Sequence, residues 1–128
     1  MLNFLIYLGT SAGLLLIGAV AFLLSTKISE WELIKAGNVA AALTLGGKLL
    51  GLSVVLYASV TYSVSIPDLL QWGAVGIISL IVAYHLFELL TPKFRVQDAI
   101  AADNRAVGAV VFFLLLSLGA IVGACLSY

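Results

Sequence analysis

The chain has 128 residues, of which 63% are apolar and only 9% are charged, and its mean hydropathy is +1.22. Because soluble domains carry about 25% charged residues, this composition excludes an ordinary soluble domain and indicates a membrane protein. Six basic and six acidic residues leave no net charge, so no basic surface argues for a nucleic-acid partner.

Four apolar runs are long enough to cross a bilayer as helices, for which about 20 residues are needed. They lie at 2–24, 38–62, 67–90 and 104–127. The first run lacks the positively charged start and the cleavage site of a signal peptide, so we expect it to be retained. The sequence predicts a single domain over 1–128, an all-α membrane protein with four transmembrane helices.

Short polar residues mark the starts of three of these helices. Asn38 and Asn104 stand where an asparagine side chain caps a helix that enters the bilayer, and Ser65 precedes the third run. Pro67 and Asp68 follow in its first turn, where proline and a negative charge are both favourable. We therefore expect Asn38, Ser65 and Asn104 to be N-caps.

The segment "ISEWELIKA" between the first two runs has two interpretations. Trp31 and the pair Leu33 and Ile34 can face lipid while Glu30 and Glu32 stay in water, which predicts a short interfacial helix. The alternative is a simple extension of the second span. We favour the separate helix.

The basic residues predict the orientation in the membrane. The residues that decide it lie in or beside two longer loops, 25–37 and 91–103, and they are Lys27, Lys35, Lys93, Arg95 and Arg105. The opposite side has no basic residue. Because cytoplasmic loops carry an excess of Lys and Arg, both loops are predicted to be cytoplasmic and both termini to face outward.

The two loops resemble each other at an offset of 66 residues. Aligning Asn38 with Asn104 also pairs Lys27 with Lys93, Ile34 with Ile100, Ala36 with Ala102 and Ala40 with Ala106. An offset of two spans keeps both copies in one orientation, which predicts two parallel-repeat helical hairpins over about 1–62 and 67–128. The alternative is a shared composition at the membrane boundary.

Small residues form a stripe along the second span at alternating spacings of three and four. The stripe consists of Gly37, Ala40, Thr44, Gly47 and Gly51, and spans one and four carry the similar pairs Gly9/Gly13 and Gly119/Gly123. Helices in lipid associate through such close contacts. The stripe is thus a helix-packing seam, either between helices of one chain or between copies in a homo-oligomer.

A lysine lies in the middle of this apolar span. Lys48 is ten residues past Asn38, about 15 Å along the helix axis. A charge at that depth costs at least about 2.5–3.5 kcal/mol, so we expect a partner. Side chains lean toward the N-terminus of their helix, which brings Lys48 and the third-span residues His85 and Glu88 to similar depth. We predict an intramembrane polar cluster of Lys48, Tyr84, His85 and Glu88, with an ion pair between Lys48 and Glu88.

This cluster supports two functional hypotheses. It is either a structural polar clasp or a pathway for protons or ions. Enzyme chemistry is not indicated, because the chain has one His, one Cys and no paired carboxylates beside a base. We predict no enzyme, no cofactor and no metal site, and we interpret Cys125 as a small packing residue.

Two segments, "EWELIKAGNVAAALTLGGKLLG" at 30–51 and "VSIPDLLQWG" at 64–73, resemble the YjfL-like family of small bacterial inner-membrane proteins, a domain of unknown function (350). The likeness covers about residues 26–110. Lys48 lies outside the matching positions, which include Trp31, Leu33, Ile34, Lys35, Asn38, Ala40, Ala41, Leu50, Gly51, Ser65, Ile66, Pro67, Asp68, Trp72 and Gly73. The resemblance implies a four-span inner-membrane protein and an association with envelope-stress proteins, and it implies no catalytic or transport residue.

We therefore expect a non-enzymatic protein of the bacterial inner membrane, a self-associating scaffold or partner subunit in an envelope-associated system. Its expected partners are the lipid bilayer, further copies of itself and envelope-associated proteins. The alternative is a small ion or proton channel or transporter that uses the Lys48, His85 and Glu88 side chains.

Overall fold

The computed structural model describes residues 1–25, 30–90 and 96–126. Lys27, Lys93 and Arg95, which carry part of the orientation prediction, lie outside these ranges. The described residues form the helices α1 (Leu2–Ser25), α2 (Glu30–Lys35), α3 (Val39–Tyr62), α4 (Ile66–Leu90), α5 (Val96–Ala101) and α6 (Arg105–Cys125). The long helices α1, α3, α4 and α6 are long and apolar enough to cross a membrane, which confirms the predicted all-α architecture with four spans.

Helix α3 is the centre of the bundle. Half of its most apolar 18-residue stretch is buried within the chain, compared with 11% for α1. It packs against α1, α4 and α6, and both short helices also contact it. α1 in turn presents most of its surface outward, as expected of a helix that faces lipid.

The contact between α3 and α6 is made backbone to backbone. A Cβ atom placed on Gly119 would lie 2.6 Å from the carbonyl oxygen of Gly51, and one placed on Gly108 would lie 2.8 Å from the Cα atom of Ala40. A Cβ atom on Gly47 would lie 2.8 Å from the Cα atom of Phe112. Both helices therefore need glycine at these positions, since no side chain fits between them.

The first connector is a short helix that ends in a sharp turn. Gly37 has a φ of +89°, its N–H donates to the Ile34 carbonyl at 2.9 Å, and the Asn38 N–H donates to the Leu33 carbonyl at 2.9 Å. These two bonds are those of a Schellman motif, with its left-handed residue at Gly37. α2 is therefore a separate helix, as we favoured, and not an extension of α3.

The second connector has the same geometry 66 residues later. Asp103 has a φ of +58°, its N–H donates to the Ile100 carbonyl at 3.0 Å, and the Asn104 N–H donates to the Ala99 carbonyl at 2.9 Å. A non-glycine residue with positive φ is uncommon, and aspartate is one of the few that adopt it. α5 thus ends as α2 does.

Each Schellman turn leads directly into an N-cap. The Asn38 side chain accepts from the Ala41 N–H at 2.8 Å, and the Asn104 side chain accepts from the Val107 N–H at 3.3 Å. Asn38 also donates to the Ile100 carbonyl at 2.7 Å, which ties the start of α3 to the end of α5. The caps satisfy N–H groups that lipid could not.

The turn between α3 and α4 is capped as well. The Ser65 hydroxyl accepts from the Asp68 N–H at 3.3 Å, and the Asp68 carboxylate accepts from the Val64 N–H at 3.0 Å. This reciprocal arrangement resembles a capping box. It fixes the start of α4 directly after Ser65.

Candidate functional site

The centre of the candidate site is an ion pair between Lys48 of α3 and Glu30, the first residue of α2. Both side chains are 1% exposed. Glu30 is inside because Glu30, Leu33 and Ile34 share one face of α2, and the other two pack against the core. α2 thus delivers a carboxylate to the lysine.

Two aromatic rings complete the surroundings of the lysine. The Lys48 Nζ atom lies 4.9 Å from the centre of the Phe22 ring and 5.6 Å from that of Tyr84. The two rings contact each other edge to face, with centres 5.3 Å apart. Phe22 comes from α1 and Tyr84 from α4, so four helices converge on one ammonium group, which gains cation–π attraction in addition to its ion pair.

The predicted ion pair between Lys48 and Glu88 is wrong, because Lys48 forms its ion pair with Glu30. Lys48 does lean toward the connector end of α3, as expected, but the carboxylate that it meets there is that of Glu30. We had assigned Glu30 to water, together with Glu32. The exposed acid of α2 is Glu32, which pairs loosely with Lys35 at 3.9 Å.

Glu88 and His85 lie at the edge of the cluster. Tyr84 lies close enough to interact electrostatically with both the Glu88 and the Glu30 carboxylates, so it lies between Glu88 and the buried pair. His85 Nδ1 lies 3.5 Å from Glu88 Oε2, and His85 Nε2 lies 3.0 Å from the Ser25 hydroxyl of α1. The structure thus brings all four predicted residues into one region, and it adds Glu30, Phe22 and Ser25.

Glu30 is the important residue that the sequence interpretation missed. Its signal was the spacing Glu30, Leu33, Ile34, which places an acid within the apolar face of a short amphipathic helix. Such a position requires a buried cation, and Lys48, the lysine in the middle of an apolar span, was available for that role.

The small-residue stripe divides into two parts in the structure. Ala40, Thr44, Gly47 and Gly51 are buried on α3, where Ala40, Gly47 and Gly51 contact α6 and the Thr44 hydroxyl donates to the Ala40 carbonyl at 2.9 Å. Gly37 is not in this seam. It is exposed, a Cβ placed on it would meet nothing within 4 Å, and its positive φ serves the turn.

The ion pair has no counterpart at the second connector. At the offset of 66 residues, Glu30 corresponds to Val96 and Lys48 to Leu114. The same turn and cap geometry is therefore formed there with two apolar residues. This comparison indicates that the turn and cap can form without a charge pair at these two positions.

Across residues 1–25, 30–90 and 96–126, no three His, Cys, Asp or Glu side chains lie close enough together to hold a metal ion. The arrangement offers cation–π contacts, ion pairs and hydrogen bonds.

Four spanning helices, two short helices at one end and a polar cluster between the helices define a small multi-pass membrane protein. The chain belongs to the family described as Domain of Unknown Function (DUF350), whose model matches residues 1–126. The match confirms the family inferred from the two segments.

Two curated relatives support this assignment. The chain is 39% identical over 103 residues to the UPF0719 transmembrane protein YshE of Bacillus subtilis. The aligned residues make up 80% of this chain and 77% of that relative. It is 31% identical over 103 residues to the UPF0719 inner membrane protein YjfL of Escherichia coli K12, with coverage of 80% and 76%. No solved structure gives a significant match.

Proposed function

We propose that this chain is a non-enzymatic protein of the bacterial inner membrane that associates with itself and acts as a scaffold or subunit of an envelope-associated system. The observation that supports self-association is the outward surface of α1. A Cβ atom placed on Gly9 or Gly13 would meet nothing within 4 Å, whereas Gly51 and Gly119 are in contact within the chain. A pair of glycines on the outward surface of a spanning helix lets a second helix approach closely.

The topology that we propose has both connectors in the cytoplasm and both termini outside. Lys35 and Arg105 flank the described connectors, and Lys27, Lys93 and Arg95 complete the positive excess. The matching bounds and turns of the two connectors support two parallel-repeat hairpins. The printed description of YjfL as an inner membrane protein supports the location.

Self-association is tested by changing Gly9 and Gly13 together to leucine. We expect the parent protein to form oligomers in nanodiscs or mild detergent, and the variant to be mostly monomeric because two large side chains separate the helices. The oligomeric state of the parent and of the variant is measured by light scattering of the detergent complex and by energy transfer between labelled copies in vesicles. The matched control is Ala74→Leu, an exposed small-to-large change on α4, which should leave the oligomer intact. A monomeric parent contradicts the proposal.

Proton or ion transport is the second candidate, and one observation favours it. The partly exposed His85 and Glu88 lie next to Tyr84, whose ring in turn lies beside the Lys48 ammonium group. Intramembrane ionisable groups in such a row are typical of ion pathways.

A flux assay in proteoliposomes separates the two candidates. If the cluster is a clasp, parent vesicles leak protons and monovalent cations no faster than protein-free vesicles. If it is a pathway, the parent conducts, Glu88→Gln abolishes conduction without dispersing the oligomer, and the exposed Glu32→Gln control conducts as the parent does.

A further inference from the structure

Two hollows on the surface of the bundle run together between α1 and α3, at the end away from the connectors. One has a volume of about 430 Å³ and the other of about 420 Å³. Three residues line both hollows: Leu8, Ser11 and Val60. The hollows therefore form one continuous groove, which we call the α1–α3 groove. It extends from Asn3 to Leu15 on α1, about 18 Å along the helix axis.

The dimensions of the groove fit an acyl chain and not a helix. The second hollow lies along residues 8–15 of α1, about 10 Å of helix, so its volume of about 420 Å³ corresponds to a mean cross-section of about 40 Å². A helix with its side chains is at least about 10 Å wide and needs about 80 Å². The length of the groove is close to the thickness of one leaflet of the hydrocarbon core, about 15 Å. A lipid tail therefore fits along it.

The lining of the groove changes along its length as a lipid does. Polar or tyrosine side chains line it near the end of the bundle: Asn3, Tyr7, Tyr57 and Thr61. Tyrosine is enriched at the level of the lipid headgroups. Farther in, the lining is apolar apart from Ser53, whose hydroxyl already donates to the Leu49 carbonyl at 2.7 Å. A headgroup thus suits one end of the groove and a hydrocarbon tail the other.

Ser11 gives the groove a hydrogen-bond donor that is not in use. Its hydroxyl is enclosed and has no hydrogen-bond partner among the described residues. Other hydroxyls in the spans donate to the carbonyl four residues earlier, as those of Ser53, Thr61 and Ser79 do. A polar group without a partner is unfavourable in lipid. Ser11 lies four residues past Tyr7, about 6 Å deeper, which is the level where the ester carbonyls of a glycerophospholipid accept hydrogen bonds.

We propose that the α1–α3 groove binds one glycerophospholipid, with a tail beside Leu15 and Leu56 and an ester carbonyl that accepts a hydrogen bond from Ser11. The hydrogen bond needs a rotation about χ1 of Ser11 to another staggered position, which turns the enclosed hydroxyl toward the groove. The charge of the headgroup does not select the lipid, because every basic residue except Lys48 lies in or beside the two loops of the sequence at the other end of the bundle.

This lipid site is separate from the proposed contact between copies. Ser11 is two residues past Gly9, about 200° around the helix axis, so the groove and the Gly9/Gly13 pair lie on nearly opposite faces of α1. Lipid binding goes beyond the scaffold proposal and does not depend on it. The variant with leucine at positions 9 and 13, which tests self-association, should bind the lipid as the parent does.

The test compares phosphatidylethanolamine that has ester-linked tails with the same lipid in ether-linked form, which lacks the carbonyls. Native mass spectrometry of the protein in mild detergent, titrated with each lipid, gives the two dissociation constants. We expect the parent to bind the ester lipid at least about threefold more tightly, as one hydrogen bond predicts, and Ser11→Ala to bind both lipids equally. Ser79→Ala removes a hydroxyl of α4 that donates to the Val75 carbonyl, and this matched control should discriminate as the parent does.

A second pair of variants tests the groove itself. Val60→Trp places a large side chain in both hollows and should weaken the binding of either lipid about tenfold or more, because the tail loses apolar contacts. Ala21→Trp fills a hollow of about 400 Å³ on the connector half of α1, where the lining is entirely apolar, and should bind lipid as the parent does.

Equal affinity of the parent for the ester and ether lipids would overturn the hydrogen bond from Ser11 and the site that it defines. Unchanged lipid binding by a folded Val60→Trp, checked by its helical circular dichroism, would overturn the groove as the location. If that variant also lost its oligomer, the groove would belong to a second copy of the chain instead.

Discussion

We expect Lys48→Met to lower the free energy of unfolding by about 3–5 kcal/mol, because it removes the cation that forms an ion pair with the buried Glu30 carboxylate. Glu30→Leu strands the lysine instead, and we expect a loss at the lower end of that range. Glu88 lies near enough to interact with the Lys48 charge, so the lysine keeps a second carboxylate nearby. Reversible unfolding with SDS in mixed micelles or bicelles measures these changes.

The double variant Glu30→Leu/Lys48→Met should unfold within about 1 kcal/mol of the parent, since hydrophobic replacements of a buried pair are often neutral or stabilising. The coupling energy from this double-mutant cycle then approaches the sum of the two single losses. Glu32→Leu on the exposed face of α2 is the matched control, with an expected change of at most about 0.5 kcal/mol. Additive single effects in the cycle would contradict a direct interaction.

The second connector provides a precedent for that double variant. Val96 and Leu114 occupy the positions that correspond to Glu30 and Lys48, and the turn and cap around them are formed in the same way. The turn and cap of such a connector can therefore be built without a charge pair at these two positions.

The spans and caps could be predicted because they depend on local chemistry. The length of an apolar run is enough to predict a transmembrane helix. Asn38 and Asn104 act as caps through hydrogen bonds to N–H groups three residues further along the chain. The need of Lys48 for a counter-charge also followed from its depth alone.

The partner of Lys48 could not be predicted in the same way, because it depends on how the chain turns between α2 and α3. Gly37, with its positive φ, reverses the chain at that point, and the reversal places the Glu30 face of α2 against the bundle. We assigned Gly37 to the packing stripe, since its spacing fits the periodicity of α3. Our Asn38 cap placed Gly37 before the start of that helix, but periodicity alone gave no sign of the turn, so the turn and the ion pair were missed together.

Gly119→Ala is expected to destabilise the bundle by about 1–3 kcal/mol, the usual cost of overpacking. Its new methyl group would lie 2.6 Å from the Gly51 carbonyl oxygen and 2.8 Å from the Gly51 Cα atom. Both are backbone atoms of α3, so the only relief is to move α6 away. That movement weakens the van der Waals contacts along the whole seam, and in lipid no hydrophobic effect compensates for the loss.

Gly46→Ala is the matched control, because it makes the same chemical change on a spanning helix where the new atom makes only an ordinary van der Waals contact, 3.7 Å from the Phe112 ring. We expect it to unfold like the parent, or slightly later, since alanine favours the helix over glycine. The combined variant Gly51→Ala/Gly119→Ala should cost less than the sum of the single changes, because one displacement of α6 accommodates both methyl groups. Equal stability of Gly119→Ala and Gly46→Ala would show that α3 and α6 are not in backbone contact, and the bundle would then need a different arrangement around Lys48.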